Sequence, residues 1–223
     1  MTKIEQIENA IKKAEKFQSK LSAGALEVPF LGSLKIRAVL NNLGELATNF
    51  LEIGSHKSGS CCSTIYGNSN IEHITVIDSW ASDENNEDKA YPQFIDNTLK
   101  YKPNNTKLDV IISDCWQVDL GQIIKRFDLY SYDAGHSEDD QCKALTYYLP
   151  VLSNEFIYCC DDYGWPEVKV GTQRGIKESG LEILFEQELI TDSPYIMIAG
   201  GTATISLYLK RNNLWSLQIR NCS

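Results

Sequence analysis

Five acidic residues carry most of the chemistry open to this chain. They are Glu52, Asp78, Asp114, Asp133 and Asp161, each at or beside the end of an apolar, β-rich run. Asp133 opens the stretch Asp133-Ala134-Gly135-His136, and Asp161 is followed by Asp162. Carboxylates brought this close need a cation or a raised pKa, because like charges disfavour joint ionisation. A hard divalent ion such as Mg²⁺ takes oxygen ligands of this kind and keeps positions open for a substrate. A hydroxyl on that ion loses its proton more readily. His136, just past Asp133, is placed to take such a proton; otherwise it hydrogen-bonds a neighbouring loop. A single acid at a strand end is commonly a turn former, and Asp114 alone fits that description. Five in corresponding places point to the sheet edge where α/β ligands bind.

The second chemical feature is the stretch Asn49-Phe50-Leu51-Glu52-Ile53-Gly54-Ser55-His56-Lys57-Ser58-Gly59-Ser60. A buried strand ends in an acid and a glycine, then a small polar turn leads into a helix. Glycine at 54 lets backbone approach a bound molecule, and the following helix aims its free N–H groups at the same spot. A dinucleotide site wants Gly-x-Gly-x-x-Gly; here the turn holds only Gly54, with Gly59 beyond it. Glu52 would also repel a pyrophosphate. Asp78, at the end of the second strand, suits the hydroxyls of a ribose. The combination favours a cofactor with a positive end and no phosphate, which describes S-adenosylmethionine: an ammonium, a sulfonium and a ribose.

Periodicity supplies the elements that must hold these residues. Ile4, Ile7, Ile11, Ala14, Phe17 and Leu21 recur at helical spacing, predicting an amphipathic helix over 3–21. It either packs on the domain or serves as a lid or dimer element. A linker over 22–29 precedes a second helix over 34–43, closed by Gly44. From residue 48 strands alternate with helices: strands at 50–53, 74–77, 108–112, 127–132 and 156–160, helices at 59–66, 91–101, 118–125, 138–152 and 168–178. The segments 181–189 and 202–209 are β-rich, with a Gly200-Gly201 turn signal between them. The pattern predicts an α/β, Rossmann-like, doubly wound, mostly parallel seven-stranded sheet with an antiparallel C-terminal hairpin and N-terminal helices. Residues 1–46 form a helical extension packed on a core of 47–223, one domain overall. The interval from Asp133 to Asp161 fits one helix and one strand, so the two acidic loops lie side by side.

Bulk properties exclude several classes. The 223 residues are 43% hydrophobic and 23% charged, with a formal net charge of −9. An acidic chain without clustered Lys and Arg is a poor match for nucleic acid or an anionic membrane, and no apolar run reaches the roughly 20 residues of a membrane helix. Met1-Thr2-Lys3-Ile4-Glu5 lacks the apolar stretch of a signal peptide. Seven cysteines, an odd number with no Cys-x-x-Cys spacing, fit reduced thiols in a cytoplasm better than disulfides or zinc.

The segments LEIGSHKSGS (51–60), VIDSW (76–80), YDAGHSED (132–139) and CDDYGW (160–165) occur in the order found in class I S-adenosylmethionine-dependent methyltransferases. Over about residues 48–210 the chain resembles their small-molecule O-methyltransferase-like group, which includes macrocin-type and catechol-type enzymes. The resemblance implies that Glu52 and Gly54, with Ser55, Lys57 and Ser60, sit beside the methionine part of the cofactor. It implies that Asp78 holds the ribose, with Ser79 and Trp80 beside it, and that Asp114 and Cys115 lie by the adenine. In metal-dependent members, acids matching Asp133, Asp161 and Asp162 bind Mg²⁺, and Asp133 also faces cofactor and acceptor. Two departures stand out. Many relatives read Asp-Gly-Asp-His after strand four, whereas Gly135 stands here in place of the second acid. His136 occupies the position of a catalytic lysine in catechol-type enzymes, which moves the base role to it.

The expected activity is methyl transfer from S-adenosylmethionine to a small-molecule hydroxyl, metal-assisted, with a homodimer as the assembly the chain could form. Two other readings remain: a cofactor-binding protein that has lost the chemistry, supported by Gly135, and a nicotinamide-dependent oxidoreductase, disfavoured by the missing glycines. Several residues have two readings. Lys57 reaches the cofactor carboxylate or is solvated; Trp80 stacks on adenine or covers the strand end; Trp165 walls the acceptor site or plugs it.

Overall fold

Runs that are apolar on both faces become the inner strands of a seven-stranded sheet, as expected for parallel strands covered on both sides. The computed structural model describes residues 1–85, 88–191 and 202–212. The expected Gly200-Gly201 turn, Cys222 and the tail beyond Asn212 lie outside the described residues. Three helices come first: α1 (Lys3–Glu15), the single turn α2 (Ala23–Leu26) and α3 (Leu34–Gly44). Then follow β1 (Asn49–Ile53), α4 (Gly59–Ile65), β2 (His73–Asp78), α5 (Ala90–Tyr101), β3 (Lys107–Ile112), β4 (Phe127–Tyr132), α6 (Glu138–Thr146), β5 (Leu152–Cys160), α7 (Pro166–Glu178), β6 (Leu181–Thr191) and β7 (Thr202–Arg211).

Strand order is β3-β2-β1-β4-β5-β7-β6. The first five strands run parallel, and β7 runs antiparallel to both β5 and β6. The order reverses between β1 and β4, so the crevice beyond Ile53 and Tyr132 is the topological switch point where such sheets bind ligands.

Alternation along β1 divides the core. Phe50 joins Ile74, Val76 and Leu129 with α1 and α3 on one face. Leu51 and Ile53 join Tyr130, Tyr132 and Tyr158 with α6 and α7 on the other. The N-terminal helices thus share a hydrophobic cluster with the sheet. Glu52 belongs to the same face as Phe50 and is fully buried. No helix among the described residues is long and apolar enough to cross a membrane.

Three predicted helices are shorter than their periodicity. The first ends at Glu15 instead of continuing to 21. The N–H of Phe17 bonds Ala14 O and that of Gln18 bonds Lys13 O, at 2.9 and 3.0 Å, a helix-terminating pattern that places Phe17 in the left-handed region at φ 55°. Phe17 is consequently 64% exposed rather than on the apolar face. The helix expected over 118–125 is only a 3₁₀ turn, Leu120–Gln122, in which Asp119 accepts from Gly121 N. It leaves one face of β3 open as a groove of about 840 Å³ beside His73 and Asp109. The helix expected over 138–152 stops at Thr146. Pro150 then sits in a 3₁₀ turn, and β5 starts at Leu152, earlier than predicted.

Candidate active site

The loop after β1 is shaped by its contact with β4. Gly54 has φ 81°, and a Cβ there would stand 1.8 Å from the carbonyl oxygen of Asp133. Only glycine fits a left-handed residue in such contact. Asp78 then fastens the turn. Its Oδ2 accepts from Ser55 N and His56 N at 3.0 and 2.9 Å, and its Oδ1 accepts from Trp80 N at 2.8 Å. A carboxylate offers about four lone-pair positions. Asp78 therefore keeps about one for a ligand hydroxyl, not the pair expected for a ribose. The start of α4 packs against the N-terminal segment, since a Cβ on Gly59 would meet Pro29 O at 2.3 Å, and Gly59 and Ser60 line one small cavity with the loop residues Gly54 to Lys57.

Beneath the loop lies Glu52. Neither carboxylate oxygen has a hydrogen-bond partner, and both are buried. Burial pushes the carboxyl up to about 7, against partial relief from the neighbouring Ser55 and Ser60. An orphaned buried acid of this kind is suited to a nearby positive charge.

Three neighbouring cavities lie along the strand ends. The largest, about 270 Å³, is lined by Gly54, Asp78, Ser79, Asp114, Cys115 and Ala134 among others. A second, about 40 Å³, lies over Ser55, Lys57, Ser60 and Asp133 under Phe30 and Leu31. A third, about 20 Å³, is bounded by Phe30, Ile36, Ser131, Asp133 and Asp161. Gly54 lines both the first and the second, and Phe30, Ser60 and Asp133 line both the second and the third. Most of the expected cofactor residues thus line one of these neighbouring cavities. Asp114 accepts from Trp116 N at 2.8 Å, an Asx turn that leaves it on the wall. Cys115 is a protonated thiol: burial, then the charges of Asp114 and Asp140, raise it to about 11.

Two expected cofactor residues are placed differently. The ring of Trp80 is only 6% exposed, packed on Tyr91 and Phe94 at centroid distances of 4.8 and 5.0 Å, with Nε1 donating to His56 O. It braces the loop from the core and does not face the large cavity. The ammonium of Lys57 is ion-paired with Asp88, while the residue lines the second cavity.

Beside Asp133, His136 Nε2 lies 3.2 Å from Asp162 Oδ2 and 3.8 Å from Asp133 Oδ1. It is buried and aligned for a hydrogen bond with neither. The Trp165 ring packs on the imidazole at 5.2 Å. Asp162 is left-handed at φ 51°, and Trp165 N donates to its carbonyl at 2.9 Å, so one tight turn delivers both residues to His136. Desolvation in the cleft, then repulsion from Asp161 and Asp162, holds the Asp133 carboxyl well above the usual carboxylate range.

The expected Mg²⁺ site does not fit these donors. A hard cation needs several oxygens about 2.0–2.6 Å from one centre. Among the described residues no three His, Cys, Asp or Glu are arranged to hold a metal ion, and the imidazole stands between Asp133 and Asp162. The residues do fit the organic cofactor: the orphaned Glu52 for a cationic end, the glycine contact for close backbone approach, and Asp78 for a hydroxyl.

Sequence reasoning missed Arg37 and Phe30. Arg37 is 3% exposed and donates to Ala25 O, Leu26 O and Val28 O at 2.7, 3.0 and 3.0 Å and to Ser63 Oγ at 2.9 Å. Its guanidinium also lies 5.4 Å from the Phe30 ring centroid. Arg37 thereby fixes the segment leading to Pro29–Leu31 above the glycine loop. A signal existed, because Arg37 sits beside Ile36 in the apolar pattern of its helix.

No protein-family model and no curated protein matches the chain. Solved structures match its fold. An O-methyltransferase from Bacillus cereus in complex with S-adenosylhomocysteine is 15% identical, with a TM-score of 0.58 over 94% of this chain and 93% of that one. The O-methyltransferase TomG from Streptomyces achromogenes, involved in tomaymycin synthesis and in complex with S-adenosylmethionine, is 14% identical, with a TM-score of 0.59 over 93% and 99%. The N-methyltransferase NodS from Bradyrhizobium japonicum is 14% identical, with a TM-score of 0.57 over 79% and 94%. The chain has the class I methyltransferase fold, and at these identities the likeness is one of fold.

Proposed function

We propose that this chain transfers the methyl group of S-adenosylmethionine to a hydroxyl of a small molecule. The observation that carries the reading is the gathering of these residues at one strand edge. Asp78, Asp114 and Cys115 line a cavity of about 270 Å³ that shares Gly54 with a smaller cavity bounded by Asp133, and His136 Nε2, buried and without a hydrogen-bond partner, lies 3.8 Å from Asp133 Oδ1.

When bound, S-adenosylmethionine supplies a methyl on a positively charged sulfur, open to attack in line with the C–S bond. The protein's part is alignment and proton handling. Asp78 offers its remaining lone pair to a ribose hydroxyl, and Glu52 places negative charge under the methionine end. Phe30, Ile36 and Leu40 give the acceptor side apolar walls, which suits a small organic molecule better than a phosphate-bearing polymer. His136 takes the hydroxyl proton, and Asp162, 3.2 Å from its Nε2, offsets the charge that the imidazole acquires. Metal assistance has no part in this reading, because the donors do not fit a cation.

Isothermal titration with S-adenosylhomocysteine tests it. Micromolar binding is expected, together with a raised melting temperature that NAD⁺ does not produce. Absence of binding at millimolar concentration sinks the proposal.

A further inference from the structure

The strand-end acids are organised around an imidazole. His136 Nε2 lies within ion-pair range of both Asp162 and Asp133, and the Trp165 ring lies against its own. The turn from Asp162 to Trp165, closed by Trp165 N on Asp162 O, sets both neighbours at once. The ring nitrogen itself is buried, while the imidazole as a whole is about a third exposed and the Asp162 carboxylate less so.

We propose that His136 occupies the place a divalent cation would need at this strand edge, so that the site handles its acceptor's proton without a metal. Three observations support this. The gap between the Asp133 and Asp162 carboxylates is spanned by a ring nitrogen 3.2 and 3.8 Å from their oxygens, whereas a hard cation draws oxygens to roughly 2.0–2.6 Å from a common centre. Among the described residues no three potential ligands converge. The missing acid at 135 is also locked out sterically. A Cβ on Gly135 would stand 2.5 Å from Asp140 Oδ2, and the Asp140 carboxylate is held by Ser137 Oγ at 2.6 Å and Trp116 Nε1 at 3.1 Å. An added side chain at 135 would therefore displace an existing network.

The chemistry differs from a metal site in kind. A cation lowers the pKa of a bound hydroxyl before attack, whereas an imidazole must receive the proton itself, and the charge it gains needs a counter-charge. Asp162 is the positioning residue for that purpose. It touches the ring, not the reacting atoms.

The inference rests on the methyltransferase reading only for the identity of the proton donor, and its test needs no turnover. Metal-stripped full-length protein is mixed with Mn²⁺ alone, and the free-ion signal is followed by electron paramagnetic resonance. Any binding is expected to be weaker than about 1 mM, the weak limit of protein oxygen sites for such ions. Saturable uptake of one ion, lost in Asp162→Asn, overturns the proposal. Long-range ¹H–¹⁵N spectra give the second readout. The chain has three histidines, so His136 is assigned by comparison with His56→Gln and His73→Gln. Asp162→Asn is expected to move the His136 ring nitrogens and leave those of His73 in place. Unmoved His136 signals also overturn it. Failure of S-adenosylhomocysteine to bind would remove the methyltransferase reading and leave this result standing.

Discussion

The carbonyl oxygen of Asp133 lies 1.8 Å from the point where a Cβ on Gly54 would stand. Two strand ends meet there with no room for a side chain, and Gly54 lines the cavities on both sides of that contact.

Gly54→Ala is expected to break this junction. The residue is left-handed at φ 81°, and Ala there adds strain to a backbone clash, on the order of 2–4 kcal/mol. S-adenosylhomocysteine affinity should fall more than about 100-fold by calorimetry. Retention of affinity within tenfold would show that the loop does not approach the ligand.

Glu52→Gln separates stability from binding. The unfolded chain gives up the Glu52 proton near 4.5, while the folded protein holds it to about 7. Stability from this group is full below pH 4.5 and is lost as pH rises to about 7, a difference on the order of 3 kcal/mol. Urea unfolding should show little advantage of the variant at pH 5 and most of it at pH 8. Equal advantage at both would contradict the assignment. The variant should also weaken S-adenosylmethionine more than S-adenosylhomocysteine, since only the former carries a sulfonium.

Asp78→Ala removes the acceptor for two loop amides. Hydrogen exchange at Ser55 and His56 should accelerate and cofactor affinity fall more than about 100-fold. If affinity falls while both amides stay protected, Asp78 acts on the ligand alone.

Trp80→Phe distinguishes a core brace from a stacking platform. A loss of about 1–3 kcal/mol in stability is expected from the smaller ring and the lost bond to His56 O, with S-adenosylhomocysteine affinity within threefold of wild type. A large affinity loss at unchanged stability would restore Trp80 to the adenine.

Arg37→Met leaves the carbonyls of Ala25, Leu26 and Val28 without their donor. Destabilisation of about 3–5 kcal/mol is expected by chemical denaturation, as for a broken buried network. Less than 1 kcal/mol would mean that the segment holds itself.

The sheet was legible because its strands are short apolar runs, each closed by an acid, and the Gly54 turn and Asp78 were legible for the same reason. Helix lengths were not, because apolar spacing continues past the real ends. Phe17 and Pro150 stop their helices by backbone geometry that periodicity does not register. At the site, residue type showed that Asp133, His136 and Asp162 belong together but not what lies between them. That depends on a left-handed Asp162 and on the Trp165 turn, which are properties of φ angles and loop closure. Lys57 and Trp80 were placed at the cofactor by their position in a motif. Their partners, Asp88 and the Tyr91–Phe94 pair, come from a separate part of the chain.

Arg37 has a consequence for how this protein can be cut. Its guanidinium ties carbonyls of the α2 segment to a helix that shares the sheet's own hydrophobic cluster. A boundary drawn at residue 46 would pass through that cluster and bare Phe50 and Ile74. The first 46 residues and the sheet should therefore melt in one cooperative transition. A protease that opens the N-terminal segment would also uncover the glycine loop beneath Phe30 and Leu31.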